Sequence, residues 1–66
     1  MESEKIYAIY MSDVRDAVKL LNEYSLKLIA IVNERGENWM FVKTVPGEIR
    51  YIKEHGPRPM ITVRGD

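Results

Sequence analysis

Cysteine is absent from the sequence, which removes disulfide staples, cysteine-ligated zinc, iron–sulfur clusters and thiol catalysis from consideration. Histidine occurs once, as His55. One imidazole among scattered carboxylates does not make a transition-metal ligand set, so no metal or other cofactor is expected. Neither sign of charge dominates, because ten Lys and Arg balance ten Asp and Glu. Bulk attraction to nucleic acid or to an anionic membrane is therefore not expected. Long apolar runs are missing too: the longest, such as Leu28 to Val32, fall far short of the roughly 20 residues that span a bilayer. The opening Met1-Glu2-Ser3-Glu4 is acidic, whereas an export signal begins basic. The expected setting is cytoplasmic.

What is present describes one small globular domain over residues 1–66, with 1–4 and 65–66 expected to fray. Apolar residues make up 45% of the chain and charged residues 30%, which argues for folding and against intrinsic disorder. A chain of this size buries about 60% of its extended surface. That is about 4,000 Å² of apolar area, or on the order of 100 kcal/mol at 25 cal/mol/Å², against a similar cost at about 1.5 kcal/mol for each ordered residue. The monomer sits near the margin, and a second subunit is the natural staple.

Residues 5 to 11, Lys-Ile-Tyr-Ala-Ile-Tyr-Met, are aromatic and β-branched over the length of a strand. Ser12 or Asp13 can cap a helix starting there, and Asp13 with Asp16 places carboxylates over its first turn. Val14, Ala17, Val18 and Leu21 recur at helical spacing, widened by Leu20 and Tyr24, so residues 13 to 24 read as an amphipathic helix. Leu28 to Val32 is apolar at every position, the pattern of a central strand covered on both faces. A polar connection, Glu34 to Asn38, leads to a further strand over 39 to 45, making 26 to 44 a hairpin in which Gly36 supplies the positive φ. Pro46 suits a first helical position, and Ile49 and Ile52 share a face before Gly56-Pro57, so 46 to 55 reads as a short second helix. Met60 to Arg64 alternates as a last strand with Ile61 and Val63 on one side.

The order strand, helix, strand, strand, helix, strand predicts a ferredoxin-like split β-α-β sandwich of class α+β, a four-stranded antiparallel sheet with both helices on one face. The rival reading has one helix and only a turn at 46 to 55. In the sandwich one sheet face is free. Strand one opposes Ile6, Ala8 and Tyr10 to Tyr7, Ile9 and Met11; the second opposes Leu26, Leu28, Ala30 and Val32 to Ile29 and Ile31; the third opposes Trp39 and Phe41 to Met40 and Val42. Neither side is polar, so large apolar side chains are left outside the monomer core whichever face the helices cover. Such a patch calls for another surface.

The leading functional expectation is a non-enzymatic domain that forms a homodimer or higher assembly, or binds a protein partner, with Tyr7, Tyr10, Trp39 and Phe41 as candidate contacts. One alternative uses the same aromatics to stack single-stranded RNA or DNA, with Lys27, Lys43 and Arg64 as candidate phosphate contacts. Another is a regulatory domain that binds a small ligand. Catalysis ranks lowest, since spacing groups no nucleophile, base and orienting residue. His55 reads as a helix-terminal residue, Asp13 and Asp16 as helix-start carboxylates, and Glu34 to Asn38 as a solvated turn. Neither glycine–proline stretch matches a phosphate cradle.

Overall fold

The computed structural model describes residues 3–56 in full and residues 62–65 as backbone. The elements are β1 (Lys5–Met11), α1 (Arg15–Glu23), β2 (Lys27–Glu34), β3 (Glu37–Thr44) and α2 (Pro46–His55). This is a small α+β chain, and among the described residues no helix is long and apolar enough to cross a membrane.

The four-stranded ferredoxin-like sandwich expected from the sequence is corrected. The sheet with described side chains has three antiparallel strands in the spatial order β2-β3-β1, and the chain runs β-α-β-β-α. Beyond it, the backbone of Thr62–Gly65 lies antiparallel along the outer side of β1, setting Tyr7 opposite Gly65 and Tyr10 opposite Thr62. That segment is only four residues long. Pro57 and Pro59 lie just ahead in sequence, and proline carries no backbone donor for a ladder. The expected strand from Met60 falls partly on residues 57–61, outside the described residues.

The one-helix rival is also excluded, because Pro46–His55 forms a full ten-residue helix with proline in its first turn. Val45 is extended at φ −85° and ψ 150°, and Pro46 then costs no hydrogen bond, since a first-turn amide has no intrahelical acceptor. At the other end Gly56 donates to the Ile52 carbonyl at 2.7 Å. A Cβ at Gly56 would lie 2.5 Å from that same oxygen, so close backbone approach is the reason for glycine there.

The core lies between the sheet and the helices. Tyr7, Ile9 and Met11 of β1 and Met40 and Val42 of β3 pack with Ala17 and Leu20 of α1 and Ile49 and Ile52 of α2. The register pairs Tyr7 with Val42 and Ile9 with Met40, so one face of two strands supplies the sheet's share of this core. Thr44 extends the same row, and its buried hydroxyl donates to the Ser25 carbonyl at 2.9 Å.

Two expectations about β2 are overturned. It is the edge of the sheet rather than a central strand, and it is exposed on both faces. A run of apolar residues reports that both faces need cover, and the described residues do not provide it. The simple alternation also fails, because the register shifts between Leu28 and Ala30. The bulge absorbs Ile29. Leu28 and Ile31 therefore both lie on the helix side, opposite Val42 and Met40, while Ala30 and Val32 lie on the other side, opposite Phe41 and Trp39.

Candidate functional site

Once the core claims Tyr7, Ile9 and Met11, alternation sends Ile6, Ala8 and Tyr10 to the opposite, open face of the sheet. The same rule places Glu37, Trp39, Phe41 and Lys43 of β3 there. The registers then assemble the face in rows. Val32, Trp39 and Tyr10 form one row, with Trp39 and Tyr10 edge to face at 5.4 Å between ring centroids. Ala30, Phe41 and Ala8 form the next, so Phe41 stands between two small neighbours. Lys27, Lys43 and Ile6 close one end, and Glu34 beside Glu37 closes the other.

Of the residues expected from the sequence, Tyr10, Trp39 and Phe41 are brought together and half-buried. Tyr7 is separated from them, only 7% exposed in the core on the other side of the sheet. Lys27 and Lys43 face each other across β2 and β3 at the edge of the aromatic patch, and Lys27 also reaches Glu4, Nζ to Oε1, at 3.1 Å. Arg64 pairs through its backbone with Ala8; its side chain is outside the described residues. Ile6, Ala8, Ala30 and Val32 belong to the face and were not singled out by sequence. Alternation already groups Ile6 and Ala8 with Tyr10 and Ala30 with Val32, but it also puts Leu28 with the latter two, and the bulge sends Leu28 to the helix side.

The polarity of the face is its most informative feature. Lys27 opposite Lys43 and Glu34 opposite Glu37 are directly paired like charges, an arrangement that costs stability in an isolated sheet. They sit at opposite ends of one apolar surface.

The remaining chemically active side chains lie elsewhere. Asp13 accepts the Arg15 backbone amide at 2.8 Å on Oδ1 and the Arg15 guanidinium at 2.7 and 3.0 Å on Oδ2. These bonds from Arg15 hold its carboxyl down at about 2. Asp16 is buried, and its Oδ2 has no hydrogen-bond partner among the described residues; its position in the first turn of α1 sets the carboxylate against the positive end of the helix dipole. The two aspartates thus have different environments rather than forming a pair. Among the described residues no group of three or more His, Asp or Glu side chains is placed to hold a metal ion. His55 stacks on Tyr51 at 4.3 Å, with Nδ1 3.2 Å from the Tyr51 carbonyl, and Tyr51 meets Tyr24 edge to face at 6.0 Å. Desolvation, with the charge of Glu23 second, raises the Tyr24 phenol. These residues were not grouped from the sequence; the Tyr51/His55 spacing of four is the signal that could have pointed to part of the cluster.

Comparison with known protein families, curated proteins and solved structures finds no match. The functional reading is carried by the geometry of the open face.

Proposed function

We propose that the chain is a non-enzymatic, self-associating domain, cytoplasmic in setting, whose open aromatic sheet face packs against the same face of a second copy. The observation that carries this reading is that like charges are register partners at both ends of one apolar surface. Turning a second sheet over about an axis across the strands, at the level of Met40, lays Glu37 over the Lys43 of the second copy and Glu34 over its Lys27. Trp39 then meets Phe41, where the flanking alanines leave room. Stacked sheets keep their strands within about 30° and lie about 10 Å apart, so Glu34 and Glu37 each gain a lysine of the second copy and Lys43 gains a carboxylate, while Lys27 adds a second acidic neighbour to the Glu4 it already holds. A nearby hydrophobic patch supplies the driving force, and the charges supply orientation.

Native mass by size-exclusion chromatography with light scattering, over a range of concentrations, tests the proposal. Glu37→Lys is expected to weaken face packing by about tenfold, the equivalent of about 1.4 kcal/mol, while relieving repulsion with Glu34 in the monomer. The double variant Glu37→Lys with Lys43→Glu restores the complementarity and is expected to restore assembly. A wild-type monomer at all concentrations sinks the reading.

A second reading is favoured by one specific feature, the position of Lys27 and Lys43 beside Phe41 on the open face. Bases stacked on Phe41 and Trp39 would have their phosphates near those ammonium groups. In that case a monomer binds single-stranded oligonucleotides, and Phe41→Ala abolishes binding while the fold is retained.

A further inference from the structure

We propose that β2 is a second self-association surface, joining edge to edge with β2 of another copy in one antiparallel register. The inference rests on the reading of the chain as self-associating but uses a different surface. No described strand pairs with the outer side of β2, whereas the backbone of Thr62–Gly65 lies along the far side of β1. The strand is apolar from Leu28 to Val32, with Leu28 47%, Ile29 50% and Ile31 43% exposed. Packing through the open face leaves Leu28 and Ile31 uncovered, because both lie on the helix side. An exposed apolar edge is a template for another strand.

The strand's own ends identify the occupant. Two copies related by a twofold axis perpendicular to the sheet keep their helices on the same side, so only side chains of the same face can stand opposite each other. Centring the axis on Ile31 sets Ile31 opposite itself and Ala30 opposite the Val32 of the second copy. With Ile29 taken up by the bulge, Leu28 then meets Asn33, and Lys27 meets Glu34. The whole strand is paired end to end, and both terminal charges find opposite partners. Lys27 keeps Glu4 within its own chain, and Glu34 keeps its repulsive neighbour Glu37, so the partner's lysine relieves the acidic end directly.

Ile31 and Met40 are register partners, so the edge axis and the face-packing axis cross the sheet at the same level. Perpendicular twofolds that meet generate a closed four-copy assembly, two edge-joined sheets stacked face to face.

The test is the native mass of three chains. Wild type is expected at four copies. Ile31→Lys, which sets like charges on the edge axis at an already exposed position, is expected at two copies, and Glu37→Lys, which acts on the face, is expected to pass from four copies to two at about tenfold higher concentration than wild type. Circular dichroism checks that Ile31→Lys remains folded. Independently, Ile31→Cys in a chain without other cysteine is expected to cross-link pairs of copies under mild oxidation. A two-copy wild type that Ile31→Lys makes monomeric and Glu37→Lys leaves intact supports edge pairing and overturns face packing. An assembly unchanged in mass by Ile31→Lys, with no cross-linking of Ile31→Cys, overturns edge pairing alone. A monomeric wild type overturns both.

Discussion

At the scale of single residues, position in the pleat decides role more than chemistry does. Tyr7 and Tyr10 are the same side chain three positions apart on β1, yet one is core and the other is surface. Asp13 and Asp16 divide in the same way across the start of α1. The Asp13 carboxyl titrates near 2 in the folded chain against an ordinary 3.8. A lowered folded value means that its contribution is fully present above pH 3.8 and is lost as pH falls toward 2. The contact is exposed, so its effect is local. Chemical shifts of the Arg15 amide are expected to change with a midpoint near 2, and Asp13→Asn is expected to abolish that transition. A midpoint at the ordinary value would show that the Arg15 contacts do not persist in solution.

At the scale of elements, the β2–β3 hairpin shows how local and global demands meet. Its two-residue turn holds Arg35 at φ 54° and Gly36 at φ 79°, the left-handed pair that a type I′ turn requires. Glycine adopts this region without penalty, but arginine does so at a cost of about 1 kcal/mol. Arg35→Asn is therefore expected to stabilise the chain by up to about 1 kcal/mol, read as a higher urea midpoint with an unchanged slope. The glycine was legible in sequence because its neighbours are polar and the flanking runs are β-branched. The strain at Arg35 was not, since any residue can occupy a two-residue loop until the register pairs Glu34 with Glu37. Helix α2 was legible through Pro46, Ile49 and Ile52, and forms in full because those isoleucines are buried against the sheet.

At the scale of the whole molecule, burial and conformational entropy nearly balance in a chain of this size, so the proposed assembly would bear on stability as well as on function. Among the described residues, a core drawn from β1, β3 and the two helices leaves β2 covered on neither side. If copies cover it, folding and association are linked, and the thermal midpoint is expected to rise with protein concentration. Melting followed by circular dichroism across a hundredfold concentration range checks this. A midpoint independent of concentration would place all the stability within one chain. Glu37→Lys and Ile31→Lys should each flatten the dependence, one through the face and the other through the edge.

Composition and periodicity by themselves determined the element types: a β-branched run makes a strand, a spacing of three and four makes a helix, and Pro46 with Gly36 marks where the chain changes conformation. They also determined that both sides of the sheet carry apolar residues. Which aromatics share a face was beyond them, because a period of two is ambiguous until a core claims one phase. The phase was settled by α1 and α2 packing on Tyr7, Ile9 and Met11. The bulge at Ile29 then reset the phase of β2, and strand order placed that apolar strand at the edge. Local sequence preferences specify how each segment is built, but exposure is a property of neighbours, and only the tertiary structure supplies them.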